Sequence, residues 1–149
     1  RQLLTGCGWV NEDLSHLPPY NGMIGREFRT LEEYVVFSFR DNKKKLSIRH
    51  QKHGEFPSQD KIKPPLPFKY QNKIIRGILP ADSEFRVVKV KEEGSTASSG
   101  TYLYVEITRC PDPAWIGKVV SPSGMTDYDN QNPVPRFKPE YVEEITPAP

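Results

Sequence analysis

Between Arg40 and Lys73 this chain gathers side chains suited to holding anions: Arg40, Lys43, Lys44, Lys45, Arg49, Lys52, Lys61 and Lys63, with His50 and His53 among them. Residues 40–73 carry ten Lys/Arg against three Asp/Glu, an excess of seven positive charges, although the whole chain carries only +2. The rest of the chain offsets this: residues 77–149 hold 7 basic against 11 acidic groups, or −4. A basic cluster attracts anionic partners by Coulomb's law, although a solvated face of Lys and Arg also serves solubility. Phosphates need point charges, and single-stranded nucleic acid also needs aromatic faces for stacking. Tyr34, Phe68 and Tyr70 lie near the cluster in sequence, and Trp115 and Tyr141 are further candidates for aromatic contact. The expected anion-binding set is Arg40, Lys43, Lys44, Lys45, Arg49, His50, Lys52 and His53.

Other chemistry finds little support. The pair His50-x-x-His53 brings two imidazoles close in sequence, but no nearby Cys or paired acid completes a metal site. No Gly-x-Ser-x-Gly elbow, Walker loop or dinucleotide fingerprint occurs. Paired carboxylates occur at Glu92-Glu93, in a Gly/Ser-rich stretch, and at Glu143-Glu144, near the end. Neither place promises the rigid burial that raises a carboxyl pKa for acid–base work. Cys7 and Cys110, the only cysteines, fit one long disulfide loop or two separate thiols. The expectation is a domain without catalytic residues, metal or cofactor.

The elements that must position these groups read mostly as strands. Tyr34 to Arg40 is β-branched and aromatic, with Val35, Phe37 and Phe39 on one face. Asp41 to Lys45 reads as a turn and Leu46-Ser47-Ile48-Arg49 as the return strand. This predicts a hairpin with a basic tip, Arg40, Ser47 and Arg49 pointing away from the apolar face. Strand character recurs at 74–79, 85–90 and 102–107, with Lys91 to Gly100 as a flexible tip between the last two. Residues 136–145 read as a final strand. Pro64-Pro65-Leu66-Pro67 favours a polyproline II connector. Asn11-Glu12-Asp13-Leu14 has the residues of a short helix start, stopped at Pro18-Pro19, and Thr30-Leu31-Glu32-Glu33 has capping-box spacing.

Fifteen prolines and 36% apolar residues argue for many loops and few long helices. The expected class is mainly β: a small barrel or sandwich of six to seven short strands with one or two short helical turns. One domain is expected over 1–149, with an irregular segment at 1–29 and a frayed tail at 146–149. No window is long and apolar enough for a membrane span. A start without Met and without a secretory core reads as a processed chain or an excised fragment.

Two short stretches resemble known families. Ile78-Leu79-Pro80-Ala81-Asp82-Ser83-Glu84-Phe85-Arg86-Val87-Val88-Lys89-Val90, with Tyr102-Leu103-Tyr104-Val105-Glu106-Ile107, resembles the last strands of ADP-ribosyltransferase domains. In that family an apolar-apolar-Pro turn, a Phe-x-Val strand and a final apolar strand close the NAD-binding fold. The resemblance implies an NAD-using transferase or its degenerate relative. Arg76 stands where the family's catalytic Glu would fall, and Ile74 where the preceding Glu or Gln would. Such a site lacks the carboxylate that faces the oxocarbenium-like transition state. Pro139-Glu140-Tyr141-Val142-Glu143 resembles the Pro-x-Tyr-Val ending of SH3-like domains, which implies a peptide groove with Trp115 as aromatic companion; the opening Ala-Leu-Tyr-Asp-Tyr is missing. The function expected overall is a non-catalytic binding module meeting an anionic macromolecule or a protein partner through its basic hairpin.

Overall fold

A computed structural model describes residues 8–51, 55–129 and 131–146. Among them lie twelve strands: β1 (Trp9–Asp13), β2 (Glu27–Thr30), β3 (Tyr34–Phe39), β4 (Asn42–Arg49), β5 (Phe68–Tyr70), β6 (Lys73–Leu79), β7 (Glu84–Ser95), β8 (Ser99–Arg109), β9 (Val119–Pro122), β10 (Thr126–Asp129), β11 (Asn132–Phe137) and β12 (Val142–Glu144). Short 3-10 turns at Tyr20–Met23, Gln59–Lys61 and Pro113–Trp115 punctuate them. The mainly β character is as expected. The small barrel or sandwich of six or seven strands is not, because ten of the strands join one large mixed sheet.

That sheet runs β12-β2-β7-β8-β9-β4-β3-β6-β5, with β1 also on β7, and β10–β11 form a separate hairpin. Neighbours pair antiparallel except β4 and β9, which run parallel with Leu46 opposite Val120 and Ile48 opposite Pro122. Both ends of the path are three-residue strands, β12 and β5. Such short edges offer little backbone for stray pairing.

The extra strands were hidden for identifiable reasons. β7 and β8 extend well past their apolar alternation. Lys91–Ser95 pairs with β1 from Asp13 to Trp9, so the expected flexible tip is mostly ladder and only Thr96–Ser98 turns. The same pairing makes Asn11–Asp13 strand and not helix: long-range hydrogen bonds outweigh a local capping pattern. Thr30 likewise ends β2. Its hydroxyl accepts from Ser83 N at 3.0 Å and lies 3.2 Å from Pro80 O. The expected final strand is broken between β11 and β12.

β3 is the hub of the core. Tyr34 and Val36 point into the main cluster with Phe28, Ile48, Leu79, Phe85, Val87, Leu103, Val105, Ile107 and Val120. Val35 and Phe37 point the other way, into a second cluster with Phe56, Ile62 and Ile75. Each such side chain contributes about 1.5–3 kcal/mol when fully buried. Phe56 and Ile62, from the 55–62 segment, complete the second cluster over the Val35/Phe37 face, and the register puts Ser47 and Arg49 on that same apolar face and not on the opposite one. Ser47 is therefore buried, against the expectation that it faces solvent. Around the main core, Phe137 of β11 packs on Phe28 and Phe85, with ring centroids 4.6 and 5.3 Å away.

Candidate anion-binding surface

The lysine run does not form a hairpin tip. The chain turns at Arg40–Asp41, and Lys43, Lys44 and Lys45 lie within β4. The register explains their display. Phe37 faces Ser47, yet Phe39 already faces Asn42, so Lys43 through Leu46 must be accommodated opposite Ser38 alone. A bulge of this kind swings the strand away from its partner and re-aims its side chains. The Arg76 Nη2 steadies it by donating to the Lys43 carbonyl at 3.0 Å.

Lys43 and Lys44 are exposed, and no carboxylate among the described residues pairs with either. Arg40 is exposed beside them, its Nη1 donating to the Gln71 carbonyl at 3.3 Å. The neighbouring β5–β6 turn is locked alongside, Arg40 N donating to Asn72 O at 2.9 Å. Exposed Lys69, at register with Ile74, brings another positive charge to this end of the sheet. The acidic counterpart on these two turns is Asp41.

Lys45 folds the other way, onto the outer face of β7–β8. Its Nζ lies 5.4 Å from the Tyr102 ring centroid and 5.3 Å from that of Tyr104, and 3.7 Å from Glu93 Oε1. Lys91 Nζ approaches the Tyr104 ring at 5.9 Å. The Tyr104 hydroxyl donates to Glu93. Burial, then the bond to that carboxylate and its negative charge, push the tyrosine pKa up, so it stays a donor. Cations over ring faces at these distances gain about 0.5–1 kcal/mol when exposed.

Several expected site residues are committed elsewhere. Arg49 is half-buried: it pairs with Glu55, donates to Ser123 Oγ at 2.6 Å and lies over the Phe37 ring. His50 is buried against Glu32, 5.9 Å from the Tyr34 ring and 5.7 Å from that of Tyr141. Neither is placed to meet an anion from solvent. Both were misjudged because the strand alternation said nothing of the distant groups that meet them, Glu55 at Arg49 and Glu32 and Tyr141 at His50. Lys52 and His53 lie outside the described residues.

The expected aromatic contacts are also mostly structural. Tyr34 is fully buried and donates its hydroxyl to the Tyr141 carbonyl at 2.6 Å. Phe68 and Tyr70 pack on the second core, and Tyr141 on the first. Trp115 is half-buried, with Nε1 donating to Ile78 O at 2.9 Å and its ring filling the space before Gly77. Among the described side chains the exposed large aromatics are instead Trp9, at 70%, and Tyr102, at 43%. Tyr102 was legible as the outward partner of Leu103, but its proximity to Lys45 was not.

Two other groups of titratable side chains bear on chemistry. Glu32, Glu33, His50, Gln51 and Gln59 line a shallow depression of about 390 Å³. Cys110 is buried, its Sγ 3.3 Å from Ser83 Oγ, while Cys7 lies outside the described residues. Among the described residues no group of three or more His, Cys, Asp or Glu is arranged to hold a metal ion, and no helix is long and apolar enough to cross a membrane. No protein-family model, curated protein or solved structure matches the chain.

Proposed function

We propose that this chain is a non-catalytic binding module that meets an anionic partner through the bulged segment of β4 and the turns beside it. The observation that carries this reading is the display of Lys43 and Lys44: both are exposed on a bulge, without a carboxylate partner among the described residues, between Arg40 and Lys45. Exposed, unpaired ammonium groups on a rigid strand are inexpensive to bring against phosphate, sulfate or carboxylate. They need break no internal ion pair, and the strand fixes their spacing. Arg49 and His50, by contrast, would have to leave a carboxylate first.

The test is the salt needed to elute the protein from immobilised heparin, compared with the Lys43→Glu/Lys44→Glu variant. Both side chains are exposed, so the fold should tolerate the change. Removing one ammonium–phosphate pairing lowers the slope of log K against log salt by about 0.9 on a duplex and about 0.7 on a single strand. The variant should therefore elute at clearly lower salt and show a shallower slope. Elution at the same salt as the unaltered protein would remove the support for this surface.

A further inference from the structure

On the same sheet face that receives Lys45, two aromatic side chains stand open to solvent. The ladder places them. Tyr102 pairs with Lys91, which pairs with Asp13; four residues along, Trp9 pairs with Ser95 in the same register. Directly paired residues share a face, and so do residues two or four apart along one strand. Trp9, Ser95, Lys91 and Tyr102 therefore project to one side, the side opposite Val10, Val90 and Leu103 in the core. Four residues along β7 and two strand spacings across it separate Trp9 from Tyr102 by about 13 Å and about 10 Å.

The Tyr102 ring does not stand upright. It lies across Gly100: a Cβ at that position would sit 3.2 Å from the tyrosine Oη and 3.3 Å from Cζ. Glycine there lets the ring settle toward the sheet while the side chain remains 43% exposed. Lys45 is held near it by Glu93, which also takes the Tyr104 hydroxyl, and Lys91 flanks Tyr104. Lys43 and Lys44 continue the line of charge from Lys45 along β4. The face is mixed in charge, since Asp13 and Glu93 lie among the lysines. Charge alone is therefore a weak account of it. Flat aromatic surface beside ammonium groups is what a stacked base with its phosphate requires.

Resting on the anion-binding reading, we infer that the partner is single-stranded nucleic acid, with one base stacking on Tyr102, a second contact at Trp9, and phosphates meeting Lys91 and the Lys43–Lys44 bulge. A sulfated polysaccharide would satisfy the lysines but has no π face for the two rings. A duplex would keep its bases stacked inside and leave the rings without a partner.

Fluorescein-labelled (dT)15 and fluorescein-labelled heparin, titrated at low salt and followed by anisotropy, separate these outcomes. Tyr102→Ala should weaken (dT)15 binding on the order of tenfold more than it weakens heparin binding, as loss of one stacking platform predicts. Tyr102→Phe should restore (dT)15 binding, because the ring and not the hydroxyl carries the contact. In a Trp115→Phe background, where Trp9 is the remaining tryptophan, (dT)15 should quench the emission and heparin should not. If Tyr102→Ala weakens both ligands alike while Lys43→Glu/Lys44→Glu weakens both strongly, the nucleic-acid inference is wrong and the anion surface stands. If neither ligand binds the unaltered protein at low salt, both are wrong.

Discussion

Replacing Gly77 by Ala tests how tightly β6 is packed beneath Trp115. A Cβ on Gly77 would lie 2.8 Å from Trp115 Cζ2 and 3.9 Å from Leu66 Cδ1. Carbon atoms in contact prefer about 3.5–4.0 Å, so the indole must withdraw by roughly 1 Å. It is not free to do so, because Nε1 donates to the Ile78 carbonyl at 2.9 Å. Overpacking of this kind costs about 1–3 kcal/mol. Gly77 also has φ +152°, a conformation that side chains rarely adopt, which adds about 1–3 kcal/mol. The expected loss is therefore about 2–6 kcal/mol in urea unfolding followed by far-ultraviolet circular dichroism. The two contributions separate in a double-mutant cycle with Trp115→Ala. Without the indole the collision disappears and only the backbone cost remains, giving a coupling of about 1–3 kcal/mol. An equal cost of Gly77→Ala in both backgrounds would show that Trp115 is not the obstacle, and the packing argument would fail.

Two further outcomes follow from individual hydrogen bonds. Tyr34→Phe removes the hydroxyl that donates to the Tyr141 carbonyl, but that carbonyl still accepts from Leu31 N at 3.0 Å. No acceptor is stranded, so the loss should be about 1 kcal/mol, seen as a lower urea midpoint with unchanged slope; a loss above about 3 kcal/mol would contradict this. Arg26 grips Glu144 through two bonds of 2.6 Å and holds its carboxyl below the ordinary value of 4.5. A depressed folded-state pKa stabilises above the unfolded pKa, and the contribution is lost as pH falls through the folded value. The stability difference between the protein and Glu144→Gln should thus be flat near neutrality and shrink below about pH 4.5. Both side chains are more than 40% exposed, so it should stay under about 1 kcal/mol. A gap that widens on acidification would reverse the sign of the argument.

The sequence by itself determined the mainly β character and the centres of β3, β6, β7 and β8. There β-branched and aromatic residues alternate with period two, and that pattern is local. It determined the concentration of positive charge in 40–73 as well. Tertiary structure decided what that charge is available for. The 55–62 segment closes over one face of β3, which buries Ser47 and ties Arg49 to Glu55. Glu32, from the loop before β3, takes His50. The Lys43–Leu46 bulge leaves Lys43 and Lys44 without a carboxylate partner among the described residues. It sends Lys45 to Tyr102 and Tyr104, more than fifty residues away in the chain. The short strands β1, β2 and β9 were hidden for the same reason: each has five residues or fewer and is held by ladder partners distant in sequence. Alternation reports which way a side chain leaves its own strand. What waits on that side is set by segments the local pattern cannot register.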